Sequence, residues 1–264
     1  MHSTILAFTL TLIAGLSTGI GSGIAMLVGH TNRKFLSVSL GFSAGVMIYV
    51  SLVELMDTAR ESLTGQLGAR VGGWAAAAAF FGGIALIAII DKLIPAQENP
   101  HELKSVEEQE EAPRGKLMRM GLVTALAIAV HNFPEGMATF VSALQEPNVA
   151  VPIVAAIAMH NIPEGISVAV PIYQATSSRG KAFRYSFLSG LAEPAGALVG
   201  WLVLAPFLNG AVLGVVFGAV AGIMVYISFD ELLPAAQEYG QHHLSLYGLI
   251  SGMAVMAASL LLFV

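Results

Sequence analysis

The chain has 264 residues, of which 56% are hydrophobic and 11% are charged, and its formal net charge is -5. Soluble domains carry roughly 25% charged residues, so a soluble fold is excluded because it has no way to bury this much apolar surface. The small net charge does not favour a nucleic-acid partner. The absence of cysteine excludes disulfides, thiolate metal sites and cysteine nucleophiles.

Eight apolar segments are long enough to cross a bilayer as helices, which takes about 20 residues each. These segments, called spans 1 to 8, are predicted at 5-28, 35-57, 71-94, 118-143, 150-173, 183-205, 209-236 and 244-264. They are too long for membrane strands and do not alternate with a period of two. The predicted fold is an all-α membrane protein of one domain. Span 1 follows no basic leader and is predicted to be retained.

The basic residues predict how the spans are oriented. If the N-terminus lies outside, ten Lys and Arg residues fall on the cytoplasmic side and only Arg60 and Arg70 fall outside. Cytoplasmic loops are enriched in basic residues, so both termini are predicted to face out. The long connection at 95-117 is then cytoplasmic. Its many glutamates predict a solvated linker, with weak metal gathering by these glutamates and His101 as the alternative.

The sequence contains two internal repeats. AIAVHNFPEGMATFV at 127-141 in span 4 matches AIAMHNIPEGISVAV at 156-170 in span 5. Residues 41-59 in span 2 match residues 218-236 in span 7, with Met47 and Glu54 recurring as Met224 and Glu231. On the predicted topology the members of each pair run in opposite directions. Inverted repeats are typical of transporters whose binding site lies near the membrane midplane.

The repeated segment His-Asn-x-Pro-Glu-Gly places ionisable groups in the middle of two spans. Its His and Glu are four residues apart and share one helix face, and a further glutamate lies mid-span on span 6. Each such group costs at least about 2.5–3.5 kcal/mol at the bilayer centre. No Lys or Arg lies mid-span to neutralise these groups. A bound cation can neutralise them. The candidate ligands are His131, Asn132, Glu135, His160, Asn161, Glu164 and Glu193.

This donor set predicts a divalent metal as the ligand. Imidazole and carboxylate groups suit Zn²⁺, Mn²⁺ or Fe²⁺, and the asparagines add amide oxygens. Pro134 and Pro163 each remove a backbone hydrogen bond next to the ligands, because proline has no N–H. Both site helices are therefore expected to be kinked at the site.

The two motifs HNFPEG and HNIPEG, together with Glu193 on span 6, resemble the ZIP (Zrt/Irt-like) metal-transporter family, and its bacterial branch in particular. The resemblance covers essentially the whole chain. It implies a 3+2+3 arrangement of eight spans, both termini outside and a two-metal centre at the midplane.

The resemblance also implies how the ligands are shared between two metal positions. The first would be formed by His131, Glu135, His160 and Glu164, with Met47 as a further candidate. The second would be formed by Asn132, Glu135, Asn161, Glu164 and Glu193. Glu135 and Glu164 would bridge the two ions.

Five further residues are candidates for the transport pathway. Glu54 lies at the predicted outer end of span 2, and Asp230 and Glu231 lie at the predicted cytoplasmic end of span 7. They are predicted to mark the entrance and the exit of the cation path. His242 and His243 in the following cytoplasmic loop are candidates to receive the metal. Solvated interfacial side chains are the alternative interpretation.

The predicted function is uptake of divalent metal ions into the cytoplasm across the cell membrane, chiefly Zn²⁺ with Fe²⁺, Mn²⁺, Co²⁺ and Cd²⁺, by alternating access. No enzymatic activity or organic cofactor is expected. One alternative is an intramembrane metal-dependent hydrolase, although the motif His-Glu-x-x-His is absent. A selective metal channel is the other. Glycine faces on spans 1, 7 and 8 make a homodimer plausible.

Overall fold

The computed structural model of the protein describes residues 2–28, 33–93, 114–145, 147–204, 209–239 and 242–261. Within these ranges the chain is almost entirely helical and has no strand. Eight of the described helices are long and apolar enough to cross a membrane. They are Ser3–Leu27, Ser37–Leu67, Ala69–Lys92, Leu117–Leu144, Ile153–Thr176, Arg179–Val203, Gly210–Leu232 and His243–Leu261. The prediction of an all-α protein with eight spans is confirmed.

Five spans are single helices and three are composite. The single helices are His2–Val28, Ala69–Leu93, Arg114–Gln145, Pro147–Thr176 and His242–Leu261 for spans 1, 3, 4, 5 and 8. Span 2 consists of Arg33–Tyr49, the π-helical segment Val50–Leu55 and Met56–Leu67. Span 6 consists of Arg179–Gly190, Ala192–Val199 and the π-helical segment Gly200–Leu204. Span 7 consists of Gly210–Ile227, the π-helical segment Ser228–Leu232 and Leu233–Tyr239.

Two predicted boundaries differ from the structure. Span 2 was predicted to end at residue 57, but its helix continues to Leu67, because the polar residues that follow the apolar segment are still compatible with a helix. Gly68 ends it with a φ of 80°, a backbone conformation that glycine adopts without strain. The predicted linker 95-117 is helical from Arg114 onward, while His101 lies outside the described residues.

The π-helical segments of spans 2 and 7 occupy matching positions in the internal repeat. Ser51 and Glu54 of the first segment correspond to Ser228 and Glu231 of the second. A π-helical turn contains one residue more than an α-helical turn and is often found at functional sites. The two repeated sequences therefore adopt the same unusual local backbone, at the place where each carries a candidate pathway carboxylate.

The spans pack as two groups. Spans 1, 4, 5 and 6 contact one another extensively and form the metal-site group, which contains both repeated His-Asn-x-Pro-Glu-Gly motifs. Spans 2, 3, 7 and 8 form the second group, in which span 8 lies along span 2 and span 7 along span 3. The contacts between the groups are less extensive and are made mainly by span 2 with span 5.

Glycines bring helices close together inside each group. A Cβ atom added at Gly165 would collide with the backbone of Thr18 in span 1, and one at Gly252 would collide with Phe42 in span 2. Every described glycine whose added Cβ would come closer than 3.0 Å to another span meets a span of its own group. Small residues allow such approaches in membranes, so the groups are closely packed units that meet through side chains.

The same contacts bear on the predicted homodimer. The glycine faces of spans 1, 7 and 8 pack largely within the chain, for example Gly15 on Gly190, Gly222 on Phe80 and Gly248 on Val38, while an added Cβ at Gly23 meets nothing within 4 Å. Contacts that are used within one copy do not support association of two copies. The homodimer stays a prediction without this argument.

The predicted topology can be tested by labelling, since the chain has no cysteine. Gly65, predicted outside, and Gly180, predicted cytoplasmic, both have open space around an added Cβ. In intact cells, a membrane-impermeant maleimide should label Gly65→Cys and leave Gly180→Cys unlabelled until the membrane is permeabilised. The reverse pattern would contradict the positive-inside assignment.

Two adjacent glycines in span 3 test the packing of the second group. An added Cβ at Gly83 collides with the backbone of Ala219 in span 7, whereas one at Gly82 meets nothing within 4 Å. Gly83→Ala should lower the free energy of unfolding by about 1–3 kcal/mol, because overpacking forces the helices apart. Gly82→Ala is the matched control and should not lower the thermal unfolding temperature in detergent. Equal effects of both changes would be inconsistent with this packing.

Candidate metal centre

The two repeated motifs place four ionisable side chains in the middle of the metal-site group. His131 and Glu135 on span 4 are exposed by only 1% and 2%, and His160 and Glu164 on span 5 are completely buried. Both helices run without interruption through the motif proline. The kink expected at each proline stays a prediction. The spacing of four residues keeps each His and Glu on one face.

The four side chains pair across the two helices. His131 Nε2 lies 3.2 Å from Glu164 Oε2, and His160 Nε2 lies 3.2 Å from Glu135 Oε1. Each histidine thus meets the glutamate of the other repeat and not the glutamate of its own motif. Between Arg119 and Arg179 the sequence has no Lys or Arg, so the imidazoles are the basic partners of these carboxylates.

The spacing of each pair is compatible with shared metal ligation. Two ligands of a tetrahedral zinc ion lie about 3.4 Å apart when each is about 2.1 Å from the metal. Among the described residues, however, no three His, Asp or Glu side chains are arranged to hold an ion as they stand. Each His–Glu pair thus offers two candidate ligands.

Span 6 adds a third carboxylate through a break in its helix. The span is interrupted at Leu191, and Glu193 lies in the first turn of the helix that follows. Glu193 is completely buried and its Oε1 accepts a hydrogen bond from Asn161 Nδ2. A carboxylate near a helix N-terminus is stabilised by the backbone N–H groups there. Asn161 Nδ2 also donates to the carbonyl oxygen of Ala14 in span 1, at 3.0 Å.

Asn132, the repeat counterpart of Asn161, has a different environment. It is completely buried, and within the described ranges neither its Nδ2 nor its Oδ1 has a hydrogen-bond partner. Buried amides are nearly always hydrogen-bonded, because an unpaired amide costs free energy. The two repeats therefore share the 3.2 Å His–Glu distance, but they differ in their asparagines, and only the pair of His131 and Glu164 is hydrogen-bonded.

Two methionines belong to the surroundings of the centre. Val50 of span 2 and Met224 of span 7 line a small cavity together with Glu135. Met47 is completely buried and precedes Val50 by three residues on the same helix face. Met224 is the repeat counterpart of Met47. The sequence pointed only to Met47, although the match between the repeats was a signal for both.

The pathway candidates lie at different depths. Glu54 is half-buried in the π-helical segment of span 2, with Asp57 nearby. Glu231 is buried and lies close enough to His131 for an electrostatic interaction. Asp230 is half-buried beside Tyr226. Of these three carboxylates, Glu231 is the most buried, and its charge acts on His131, a candidate ligand.

The two histidines after span 7 belong to the helix of span 8 and not to a loop. His243 is exposed and stacks on Tyr247, with ring centroids 6.3 Å apart. The backbone of His242 begins the helix, while its side chain lies outside the described residues.

Asp91 is a pathway candidate that sequence reasoning missed. It is half-buried near the end of span 3 and, like Asp230, lies close to Tyr226. An acidic residue directly before Lys92 in an otherwise apolar span was the available signal. Asp91 and Asp230 thus form an acidic pair around Tyr226 on the predicted cytoplasmic side.

Fold and site together define a multi-pass membrane protein with a buried cluster of metal-ligating side chains. A comparison with protein families matches residues 92–260 to the ZIP zinc transporter family. The zinc transporter ZupT of Streptococcus mutans is 67% identical over 258 residues, which cover 98% of this chain and 97% of that protein. The zinc transporter ZupT of Clostridium perfringens is 59% identical over 279 residues, covering 100% and 98%.

The chain belongs to the ZIP zinc transporter family. Its eight membrane-spanning helices and this membership identify a multi-pass protein of the cell membrane. The membership in this family that the two repeated motifs and Glu193 predicted is therefore confirmed.

The paired histidines give a direct test of the centre. His131→Ala and His160→Ala should each weaken zinc binding by about tenfold or more, because each removes one ligand and leaves its partner carboxylate buried without an imidazole. Isothermal titration calorimetry in detergent measures the dissociation constants. Glu61→Ala, a change at an exposed glutamate of span 2, is the control and should bind as the native protein does. Native affinity in both His131→Ala and His160→Ala would exclude the His–Glu pairs from the centre.

Proposed function

We propose that the chain carries divalent transition-metal ions, zinc foremost, from outside into the cytoplasm through the centre on spans 4, 5 and 6. The observation that carries this proposal is the set of two reciprocal His–Glu pairs buried at membrane depth without a Lys or Arg nearby. The relatives named zinc transporters support zinc as the cargo. Imidazole and carboxylate ligands also bind Fe²⁺, Mn²⁺, Co²⁺ and Cd²⁺, so breadth is part of the proposal.

The centre is proposed to hold two ions. The two His–Glu pairs provide four ligands for one ion, with the thioether of Met47 as a further donor. Glu193, Asn132 and Asn161 provide a second set of oxygen ligands, which share Glu135 and Glu164 with the first. The hydrogen bond from Asn161 to Glu193 supports this grouping, because it joins two members of the second set.

The path is proposed to enter past Glu54 and to leave past Glu231. On the outer side, the cavity beside Glu135 measures about 10 Å³ and is otherwise lined mainly by apolar residues such as Leu55 and Ile157. A cavity of this size holds about one water molecule. On the cytoplasmic side, Glu231 lies near His131, and Asp91 and Asp230 follow. His242 and His243 are proposed as later, solvent-facing contacts.

Alternating access is proposed to occur between the two helix groups. The candidate ligands on spans 4, 5 and 6 belong to one closely packed group, whereas the path residues Glu54 and Glu231 belong to the other. The closest glycine contacts lie within the groups and not between them. Relative motion of the groups would therefore preserve the centre while exposing it to either side.

The two alternatives are less well supported. The family is one of transporters and not of enzymes, so the chain is not assigned a hydrolase activity. A selective channel would give rapid uptake that does not saturate with zinc concentration, and the vesicle assay below distinguishes it from a transporter.

Uptake into vesicles tests the proposal. Proteoliposomes that contain a zinc-sensitive dye should show saturable zinc entry with the native protein and almost none with Glu135→Ala or Glu164→Ala, because each change removes a ligand shared by both ion positions. Glu61→Ala, a change at an exposed glutamate of span 2, is the control and should transport normally. Full transport by both site variants would refute the proposed pathway.

A further inference from the structure

A segment of span 1 resembles the segment of span 6 that carries Glu193. Residues 15–21 read GLSTGIG and residues 190–196 read GLAEPAG. The match aligns the first glycine, the leucine and the last glycine of each segment. It aligns Thr18 with Glu193.

The two segments also contact each other reciprocally. A Cβ atom added at Gly15 would collide with the backbone of Gly190, and one added at Gly190 would collide with the backbone of Gly15. Gly15 and Gly190 are counterparts in the match, and a contact of a residue with its own counterpart is what a local two-fold axis between two elements produces. Spans 1 and 6 are thus related in space as well as in sequence.

Thr18 and Glu193 have matching positions against the two repeated motifs. A Cβ added at Gly136 of span 4 would collide with the backbone of Glu193, and one added at Gly165 of span 5 would collide with the carbonyl oxygen of Thr18. Three residues further along, the matching contacts are Gly196 with Phe133 and Gly21 with Ile162. Thr18 therefore has the same position relative to span 5 as Glu193 has relative to span 4.

The hydroxyl of Thr18 faces span 6 and is unpaired: a Cβ atom added at Gly190 would lie 2.9 Å from Thr18 Oγ1. Thr18 is completely buried, and among the described residues its Oγ1 has no hydrogen-bond partner. It follows Ala14 by one helical turn, and the Ala14 carbonyl accepts the hydrogen bond of Asn161. A buried hydroxyl without a partner is unfavourable, which indicates that it binds something other than protein.

The unpaired amide of Asn132 completes the comparison. Between spans 5 and 6, the amide of Asn161 donates to the carboxylate of Glu193. By the two-fold relation, Asn132 of span 4 corresponds to Asn161, and Thr18 of span 1 corresponds to Glu193. The amide of Asn132 and the hydroxyl of Thr18 both lack partners among the described residues.

We infer that Thr18 is a further residue of the metal centre, whose hydroxyl forms with Asn132 an uncharged half-site for the hydrated divalent cation. Hydroxyl and amide oxygens are neutral, hard donors that bind a cation or its water molecules. The half-site of Glu193 and Asn161 carries a negative charge and that of Thr18 and Asn132 does not. A cation is thus held less tightly on the second side, from which it leaves more readily. The inference rests on the proposed function.

Thr18→Val tests the hydroxyl with little change of shape. Zinc uptake by proteoliposomes should show a KM increased about tenfold, the effect of removing an outer ligand contact, with a smaller change in the maximal rate. The zinc dissociation constant from calorimetry should rise in parallel. The thermal unfolding temperature should not fall, because the change removes an unpaired buried hydroxyl. Thr18→Ser keeps the hydroxyl and should behave as the native protein.

Asn132→Ala provides a second test away from the packing contact of Thr18 with Gly190. It should raise KM to a similar extent, and the Thr18→Val/Asn132→Ala double variant should be little worse than either single variant, since the two residues serve one ligand. Native KM and dissociation constant in Thr18→Val would overturn the inference. Equal losses in Thr18→Val and Thr18→Ser, with lowered thermal stability, would show a packing role and overturn it too.

The outcomes distinguish the inference from the function on which it rests. If the native protein takes up no zinc, the proposed function fails, while calorimetry still decides whether Thr18 contributes to binding. If the native protein takes up zinc and Glu135→Ala does not, uptake by Thr18→Val decides the inference alone.

Discussion

The architecture depends on the cost of holding carboxylates inside a membrane without a permanent cation beside them. Glu135, Glu164 and Glu193 are almost completely buried, and the sequence has no Lys or Arg between Arg119 and Arg179. Charged groups at this depth must find partners. The protein pairs each motif glutamate with the histidine of the other repeat. These partners can be replaced by a metal ion, whereas a fixed lysine or arginine would compete with it permanently.

This pairing constrains the packing around it. The crossed pairs require spans 4 and 5 to lie side by side in a defined register, and glycines in both motifs let spans 1 and 6 approach from behind. Gly136 lies on the backbone of Glu193 and Gly165 on that of Thr18. A larger residue at either position would push the neighbouring span away and disturb the ligands. The close packing of the metal-site group is thus a condition for its chemistry, while the looser contact with the second group leaves room for motion.

Much of this could be predicted from the sequence, because membrane segments and repeated motifs leave strong local patterns. The eight spans and their helical nature followed from hydrophobic length, and the candidate ligands followed from the repeated His-Asn-x-Pro-Glu-Gly. The sequence did not reveal which His meets which Glu. Spacing within one helix pointed to His131 beside Glu135, but the pairs form between helices, and that geometry depends on packing.

Other features of the structure could not be predicted from the sequence, for related reasons. The glycine faces predicted close contact but not the partner, so a homodimer was considered beside packing within the chain, and the structure shows contacts of the second kind. The end of span 2 was placed too early because the apolar segment ends before the helix does. Thr18 was not noticed because a threonine in an apolar span is common, and its position became informative only beside Glu193.

The paired π-helical segments have a consequence for how the pathway carboxylates are aimed. Each residue turns an α-helix by about 100°, so the extra residue of a π-helical turn rotates everything beyond it relative to a regular helix. Glu54 and Glu231 lie within these segments, and their directions therefore depend on one inserted residue each. Removing a single residue from Val50–Leu55 would restore a regular helix and turn the remainder of span 2 away from its present neighbours. In this respect the spans tolerate substitutions more readily than changes in length.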